Sequence, residues 1–449
     1  MTSIDPCIKY IGYTGCYTEP KQADPFGGLG GVPHDESKVG TGIQAIGVSK
    51  DGKLCYLAGS GATGGRVKIQ KVTGDKVEDV DYDSLGLSNP SYLAVSKCDK
   101  DGKHYLCTAS EVDKGANMHS FVIDPKKDPT SLVHLSTIPI ETSYPCHFNM
   151  ISDPLGGEVR DKVLTIVCSY GRDKDNAGVS TFLMNSRDSG DSDCVSKLQE
   201  LVYSGNGSMS NLDRQLAAHA HSTATCPGVP NEIFMADLGK DSILQYQLVE
   251  SRSVVNLKET GKLGVPLGSG PRSLSFRPAK NDSFSERGVI GIVSLEIKAS
   301  LLLVRRRVHD GCLEILQSPV SILPEAWPKD ENIAKFNKGR WASDVVWSSC
   351  GKFVFAAARL HNSISIFELK RNTNHDGEAE IFLELLDRVS TGGQTPRCLC
   401  MSPEGDFLLI VHQHSHDITC FQVDNTTGKL TLTDKLEHPL AACVKLIPA

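Results

Sequence analysis

From residue 89 onward, short apolar runs alternate with polar turns, and the same order of runs keeps returning. A turn carrying Pro or Gly leads into a short apolar strand, and three further strands follow it, the third ending in an amphipathic run. The first strand recurs as NPSYLAV from Asn89, YPCHFNM from Tyr144, AHAHSTAT from Ala218, GPRSLSF from Gly270, RWASDVV from Arg340, TPRCLCM from Thr395 and HPLAACV from His438. The second recurs as HYLCTAS, VLTIVCS, EIFMADL, GVIGIVS, FVFAAAR and FLLIVHQ, and the third as NMHSFVI, GVSTFLM, DSILQYQL, SLLLVRR, NSISIFEL and HDITCFQV. A four-strand unit repeated at this period predicts an all-β chain folded as a β-propeller.

Six complete units fit between residues 89 and 437, and His438 opens a seventh that the C-terminus cannot finish. The N-terminal segments 9–18 (KYIGYTGCYT) and 42–49 (GIQAIGVS) are strand-like and otherwise unpaired. Completing the last blade with them removes two open sheet edges, which would otherwise template aggregation. The expectation is a seven-bladed β-propeller of four-stranded blades, the last closed by N- and C-terminal strands. Residues 52–88 leave an alternative open, because KLCYLAG and RVKIQKV fit either an extra strand pair or an eighth blade. No blade buries its faces alone, so residues 1–449 read as a single domain despite their length.

Composition narrows the function. A net charge of −7 argues against a nucleic-acid partner, which needs clustered Lys and Arg to neutralise phosphates. The one compact basic run, residues 305–307, reads as the end of a solvated outer strand. No apolar run reaches the length of a membrane span and the first 30 residues lack a signal-peptide core, so no membrane partner and a cytoplasmic location are expected. Many of the fifteen cysteines lie inside apolar strands and are expected to be reduced and buried. Segments 19–40, 186–216 and 324–339 stand outside the repeat and read as long rim loops.

The repeat supplies a coordinate system for the chemistry. Position two of the first strand is Ser91, Cys146, His221, Arg272 and Arg397 in successive blades, with Arg340 displaced from the same place by about two residues. The start of each innermost strand lines the mouth of the central channel, so one volume receives a His and three Arg. One buried Arg would be explained by a neighbouring acid such as Asp237 or Asp344. Three converging guanidiniums favour an anionic ligand, because their planar forks suit phosphate or carboxylate. His147 and His221 both fall at first-strand starts and are candidates for general-base work near neutral pH. Glu111 and Glu296 each end a second strand at the same rim, where either would activate water or orient a histidine. The run HQHSH at 412–416 suits a metal by alternation but crosses a strand end into a turn, which favours a polar turn and no metal. FGGLGG lacks a following GKS/T, and no GxSxG elbow is present.

At these residues the chain resembles a known family. YTGCYTE, NPSYLAVS, PCHFNM, AHAHS with MADLGKDSI, GPRSLSF, RWASDV and QTPRCLCMSPEGDFLLIVHQHSHDITCF together are similar to the seven-bladed lactonases, which include propeller-type 6-phosphogluconolactonases and fungal carboxy-cis,cis-muconate cyclases. The resemblance covers the chain from about residue 9 and rests on the order of the motifs. The family's catalytic set of His, Arg, Glu and Arg falls by motif on His221, Arg272, Glu296 and Arg340. Leu295 stands where bacterial lactonases commonly carry Asn, and the insertion at 186–216 is longer than usual.

The resemblance implies a lactone hydrolase, opening 6-phospho-D-glucono-1,5-lactone to 6-phosphogluconate without a cofactor. His221 or Glu296 would take the proton of water, Arg272 or Arg340 would hold the oxyanion, and Arg397, with His147 and Glu111, would bind the substrate. The expected partner is a small anionic lactone, either a sugar phosphate or a dicarboxylate. A muconate-type cyclase and a non-enzymatic protein-binding propeller are the alternatives.

Overall fold

The computed structural model describes residues 5–18, 40–57, 66–73, 76–96, 101–152, 154, 162–172, 174–185, 194–251, 254–279, 282–325, 327, 341–373 and 379–449. Their strands form seven sheets. Blade one is Leu93–Val95, His104–Ala109, Asn117–Ile123 and Ser131–Pro139; blade two is Pro145–Ser152, Lys162–Ser169, Ala177–Asn185 and Val195–Tyr203. Blade three is Ala220–Cys226, Val229–Asp237, Ser242–Ser251 and Val254–Gly264; blade four is Pro271–Phe276, Gly288–Leu295, Ser300–Arg307 and Leu313–Ile315. Blade five is Ala342–Trp347, Phe353–Ala358, Ser363–Thr373 and Ala379–Ser390; blade six is Pro396–Met401, Phe407–His412, Asp417–Val423 and Leu430–Glu437. The first strand of each blade touches the first strand of the next, and Ala441–Pro448 returns the cycle to blade one. A closed cycle of first strands puts them around one central axis.

Burial explains the strand order. Second strands such as HYLCTA, FVFAAA and FLLIVH are buried throughout, because neighbouring blades cover both of their faces. Continuous apolar runs are what such strands need. The outermost strands face water; Leu430–Glu437 buries only Leu430 fully and leaves Leu432 among its exposed residues.

Blade seven joins the two ends of the chain. Ala441–Pro448 is its innermost strand, followed outward by Ile8–Cys16, Gln44–Ser49 and Leu54–Tyr56. Ile11 pairs with Ile447 on one side and with Gly47 on the other. Lys9 Nζ lies 2.6 Å from Asp406 and 2.7 Å from Glu404, and the Tyr10 hydroxyl donates to Asp406 at 2.8 Å, which fastens this blade to blade six. The described residues of 52–88 make no eighth blade. Leu54–Tyr56 is the outer strand of blade seven, and the hairpin Lys68–Thr73/Lys76–Val80 joins the outer edge of blade one, parallel to Ser131–Pro139.

The basic run is neutralised, since Arg305 pairs with Glu314, Arg306 with Glu232 and Arg307 with Asp310. Fourteen described cysteines are free thiols; Cys98 lies outside the described residues. No helix among the described residues is long and apolar enough to cross a membrane.

Ring closure carries a prediction. Tyr10, Ile11 and Tyr13 are fully buried, each contributing about 1.5–3 kcal/mol, against a total stability of roughly 5–15 kcal/mol for a typical domain. Deleting residues 1–20 strips these side chains and opens two strand edges, so the truncated protein should be insoluble. A soluble, cooperatively unfolding truncation would show that closure is dispensable.

Candidate functional site around the axis

Every blade enters its innermost strand through the same backbone step. The residue just past the second strand donates its N–H to the carbonyl of the residue that opens the innermost strand. The donors are Glu111, Tyr170, Leu238, Glu296, Arg359, Gln413 and Tyr17; the acceptors are Asn89, Tyr144, His219, Gly270, Trp341, Thr395 and Leu440, at 2.7–3.3 Å. Six of these acceptors are left-handed, with φ between 48° and 64°, and five of the six are not glycine. Such backbone is costly for a residue with a Cβ and persists only where its surroundings impose it.

Two residues further on comes position two: Ser91, Cys146, His221, Arg272, Ser343, Arg397 and Ala442. In five blades the ladder slips at this point, between Pro145 and His147, Ala220 and Ser222, Pro271 and Leu274, Ala342 and Val345, and Pro396 and Cys398. A bulge of this kind re-aims the side chain it releases. His221, Arg272 and Arg397 are all bulge residues. Two rings of side chains thus surround the axis, one from position two and one from the ends of the second strands.

Glu296, wholly buried, is the centre of the arrangement. Arg214 Nη2 donates to Oε1 at 2.5 Å, Arg272 Nε lies 2.9 Å from Oε2, and Arg359 Nη1 lies 3.8 Å from the same oxygen. Burial alone would raise the Glu296 pKa, but the charges of Arg214, Arg359 and Arg272 hold it below the ordinary carboxylate value. Arg214 is fixed between two rings, 4.9 Å from the centre of Trp341 and 5.1 Å from that of Tyr170. Arg272 also donates from Nη1 to the Ser343 carbonyl at 2.9 Å. Arg359 is less well satisfied. Its buried Nε has no hydrogen-bond partner among the described residues, and burial beside Arg272 drives its pKa well below the guanidinium value, which Glu296 only partly opposes.

A second group forms on Glu111. Its carboxylate accepts from the Ser91 hydroxyl and lies beside Tyr17 and Arg397. Burial raises the Glu111 pKa, with Arg397 the largest opposing influence. Arg397 donates to Gln413 at 3.2 Å and sits over the Tyr17 ring. Cys146 occupies the same volume, but burial pushes its thiol up to about 12, so it is no nucleophile at neutral pH. His221 packs edge-on to Tyr170, and its Nδ1 has no partner among the described residues. Burial, followed by the charges of Arg272 and Arg359, holds its pKa well below 6.5, so the ring is neutral at pH 7.

The structure thus brings His221, Arg272, Glu296, Glu111 and Arg397 together. His147 stands one residue deeper, its ring tilted against that of Tyr92 with centres 4.7 Å apart, and its Nδ1 accepts from the Thr223 N–H at 3.4 Å. Burial lowers its pKa to about 3, so it cannot serve as a cation for substrate at neutral pH. Arg340 lies outside the described residues, and position two of blade five belongs to Ser343. Asp237 and Asp344 do not pair with the axial arginines; Asp237 accepts from the backbone of His219 and Lys240, and Asp344 from that of Val345 and Leu399. The HQHSH imidazoles have separate partners: His412 meets Asp417, His414 meets Thr395, and His416 accepts from the Leu440 N–H.

Sequence reading missed two arginines. Arg359 ends a second strand just as Glu296 does, so the rule that found Glu296 would have found it. Arg214 comes from the connection between blades two and three, where no repeat marks it.

Residues 55–446 match the family described as Lactonase, 7-bladed beta-propeller. The chain is 25% identical over 362 residues to a 6-phosphogluconolactonase of Bacillus subtilis, covering 80% of this chain and 88% of that protein. A 6-phosphogluconolactonase of Formosa agariphila is 27% identical over 239 residues, covering 53% and 59%. Among solved structures, the periplasmic gluconolactonase of Pseudomonas aeruginosa superposes with a TM-score of 0.68 at 20% identity, over 98% of this chain and 99% of that one. At that identity the superposition speaks for the fold. The match over most of its length shows that this chain belongs to the seven-bladed β-propeller lactonase family.

Proposed function

We propose that this chain is a lactone hydrolase that opens 6-phospho-D-glucono-1,5-lactone to 6-phosphogluconate, acting as one catalytic unit over residues 1–449. The observation that carries this reading is a charge imbalance. Among the described residues, four buried or half-buried guanidiniums, those of Arg214, Arg272, Arg359 and Arg397, share the axial volume with two carboxylates, Glu111 and Glu296. That leaves two positive charges over, which is the complement of a phosphate dianion. The 25% identity to a 6-phosphogluconolactonase across most of both chains supports the same substrate. The free described thiols favour a reducing compartment such as the cytoplasm.

The proposed step begins with water attacking the lactone carbonyl carbon. His221 accepts the proton of that water, being neutral at pH 7. Glu296 is a poorer base, because its arginines stabilise the ionised form and leave it little affinity for a proton. Negative charge develops on the carbonyl oxygen and is met by a fixed guanidinium, for which Arg272, locked on Glu296 and the Ser343 carbonyl, is the better placed. Collapse of the tetrahedral intermediate breaks the bond to the ring oxygen, which takes the proton back from His221 and leaves as a hydroxyl. Arg359, with its unsatisfied Nε, and Arg397 hold the phosphate.

Two outcomes test this. For Arg359→Ala, KM should rise roughly ten- to a hundredfold, the scale of one charged hydrogen-bonded contact. Its preference for 6-phosphogluconolactone over unphosphorylated glucono-1,5-lactone should shrink by the same factor, with little rescue by Arg359→Lys. Equal loss on both lactones would take the phosphate away from Arg359. If neither lactone is hydrolysed, the lactonase reading itself fails, and turnover of a muconolactone dicarboxylate would select the cyclase alternative.

The pH profile supplies the second outcome. Burial and the charges of Arg272 and Arg359 hold the His221 imidazole well below its ordinary range, so its basic form predominates at pH 6.5. The value of kcat/KM, which reports the free enzyme, should therefore stay flat from pH 7.5 to about pH 6 and decline only below it. An acidic limb centred at or above pH 6.5 would exclude His221 as the base.

A further inference from the structure

The two guanidiniums on Glu296 with the shortest contacts, Arg214 and Arg272, come from segments that do not belong to one strand. Arg214 lies in the connection before blade three, and Arg272 follows the turn 266–270 that leads into blade four. Both segments end on a single carboxylate. Asp241, in the hairpin turn between the second and third strands of blade three, is 2% exposed and left-handed, with φ 48°. Its Oδ1 accepts from Gln215 Nε2 at 2.8 Å, from the Ser269 N–H at 3.1 Å and from the Gly270 N–H at 2.8 Å; its Oδ2 accepts from the Gly268 N–H at 2.7 Å. Gln215 is the residue after Arg214, and Gly270 stands two residues before Arg272.

We propose that Asp241 is the positioning residue of the site, setting Arg214 and Arg272 on either side of Glu296 through one shared carboxylate. The packing around it leaves no slack. Gln215 Nε2 also donates to the Leu238 carbonyl at 2.9 Å, and a Cβ on Gly239 would lie 1.8 Å from the Ala217 carbonyl oxygen. The Gly270 carbonyl accepts from the Glu296 N–H at 2.7 Å, so the turn that Asp241 holds also fixes the backbone of Glu296. The four groups that Asp241 accepts from are those of Gln215, Gly268, Ser269 and Gly270, none of them an axial side chain. It acts on the carboxylate–guanidinium geometry alone. The reason a carboxylate is needed is the donor set: three backbone N–H groups and one amide must be accepted at a buried point, and only an ionised carboxylate offers acceptors on both oxygens.

The kinetic part of this inference rests on the lactonase reading, so the test has a readout without substrate. In ¹⁵N-labelled full-length protein, the Nε–Hε resonances of Arg214, Arg272 and Arg397 are assigned by single Arg→Lys variants. Asp241→Asn, which keeps shape and loses one acceptor, should shift or broaden the Arg214 and Arg272 signals and spare Arg397. Gln215→Leu, which frees only the Arg214 side, should move Arg214 alone. With 6-phosphogluconolactone, Gln215→Leu should lower kcat/KM about ten- to a hundredfold, the scale of a sub-ångström to ångström misplacement, and should have no further effect in an Arg214→Ala background. Unmoved Arg214 and Arg272 resonances in Asp241→Asn would overturn the proposal. So would equal displacement of Arg397, which would mean general loosening of the ring, or a Gln215→Leu effect that persists without Arg214. If the resonances move as expected and no lactone is turned over, the positioning role stands and the substrate assignment falls. Should Asp241→Asn not fold, Asp241→Glu, which keeps the charge and displaces both acceptors, decides the shared-carboxylate claim by the same Arg214 and Arg272 resonances, and Gln215→Leu decides the Arg214 half.

Discussion

One backbone hydrogen bond, repeated once per blade, fixes where the functional side chains can be. It ties the residue after each second strand to the residue that opens the innermost strand, and so holds two side chains per blade at the axis. The bond draws the opening residue into left-handed backbone in six blades, and five of these six pay a steric cost at a Cβ. That cost is tolerable because the alternative is a buried, unsatisfied N–H and carbonyl in every blade. The fold therefore supplies seven equivalent pairs of positions, and the chain differs among blades only in what it puts there. Blade four puts Arg and Glu at its pair, blade six Arg and Gln, blade one Ser and Glu, and blade three His and Leu. Function on this scaffold is a matter of which residues fill a fixed lattice of sites.

The filling is electrostatically unfinished. A carboxylate with no exposure stays ionised only beside well-aligned cations, and Glu296 has two close guanidiniums and a third at longer range. Arg397 and Glu111 balance one another less directly, with Tyr17 and Ser91 between them. Of the two positive charges left over, one is shared by Arg214 and Arg272 on the single Glu296 carboxylate and the other sits on Arg359, which the neighbouring arginines repel. A protein interior does not keep such a group for stability, since burying a charge that its one distant carboxylate only partly compensates is costly. It is consistent with a site whose charge balance is completed by a bound anion, and that anion would also stabilise the fold by mass action.

How much of this was legible in the sequence follows the same division. The repeat announced the propeller, because four strands recurring at a fixed order leave little else for the hydrophobic pattern to mean. Position two was legible because Pro or Ala precedes it in each blade, and Glu111 and Glu296 because they end second strands. Arg359 carried the same mark and was passed over. The displaced RWASD motif drew attention to Arg340, whereas the register of Ala342 against Ala358 makes Ser343 the equivalent residue. Arg214 was beyond reach. Its place depends on Asp241, a residue of another hairpin, and on the rings of Tyr170 and Trp341 from blades two and five. Non-local contacts of that kind leave no period in a sequence. His147 stands one residue further along its strand than position two, beside Tyr92 and Thr223, a step that the sequence pattern of the first strand does not distinguish.

Under the lactonase reading, the two glutamates have a consequence for release. Ring opening converts a neutral ester into a carboxylate, so the product carries one negative charge more than the substrate. A site holding four guanidiniums and no acids would bind that product more tightly than the lactone and would stall on it. Under that reading Glu296, kept ionised by its arginines, would repel the new carboxylate while holding Arg272 in place for the transition-state oxyanion. The repulsion acts at the effective dielectric of a partly buried site, where two charges about 4 Å apart interact by about 4 kcal/mol, enough to offset one arginine contact. Catalysis needs stronger binding of the oxyanion than of either ground state. Under the same reading that difference comes from direction, because Arg272 is fixed on Glu296 and the Ser343 carbonyl and so presents its remaining N–H group along one line, which favours an oxyanion lying there over a product carboxylate free to turn away.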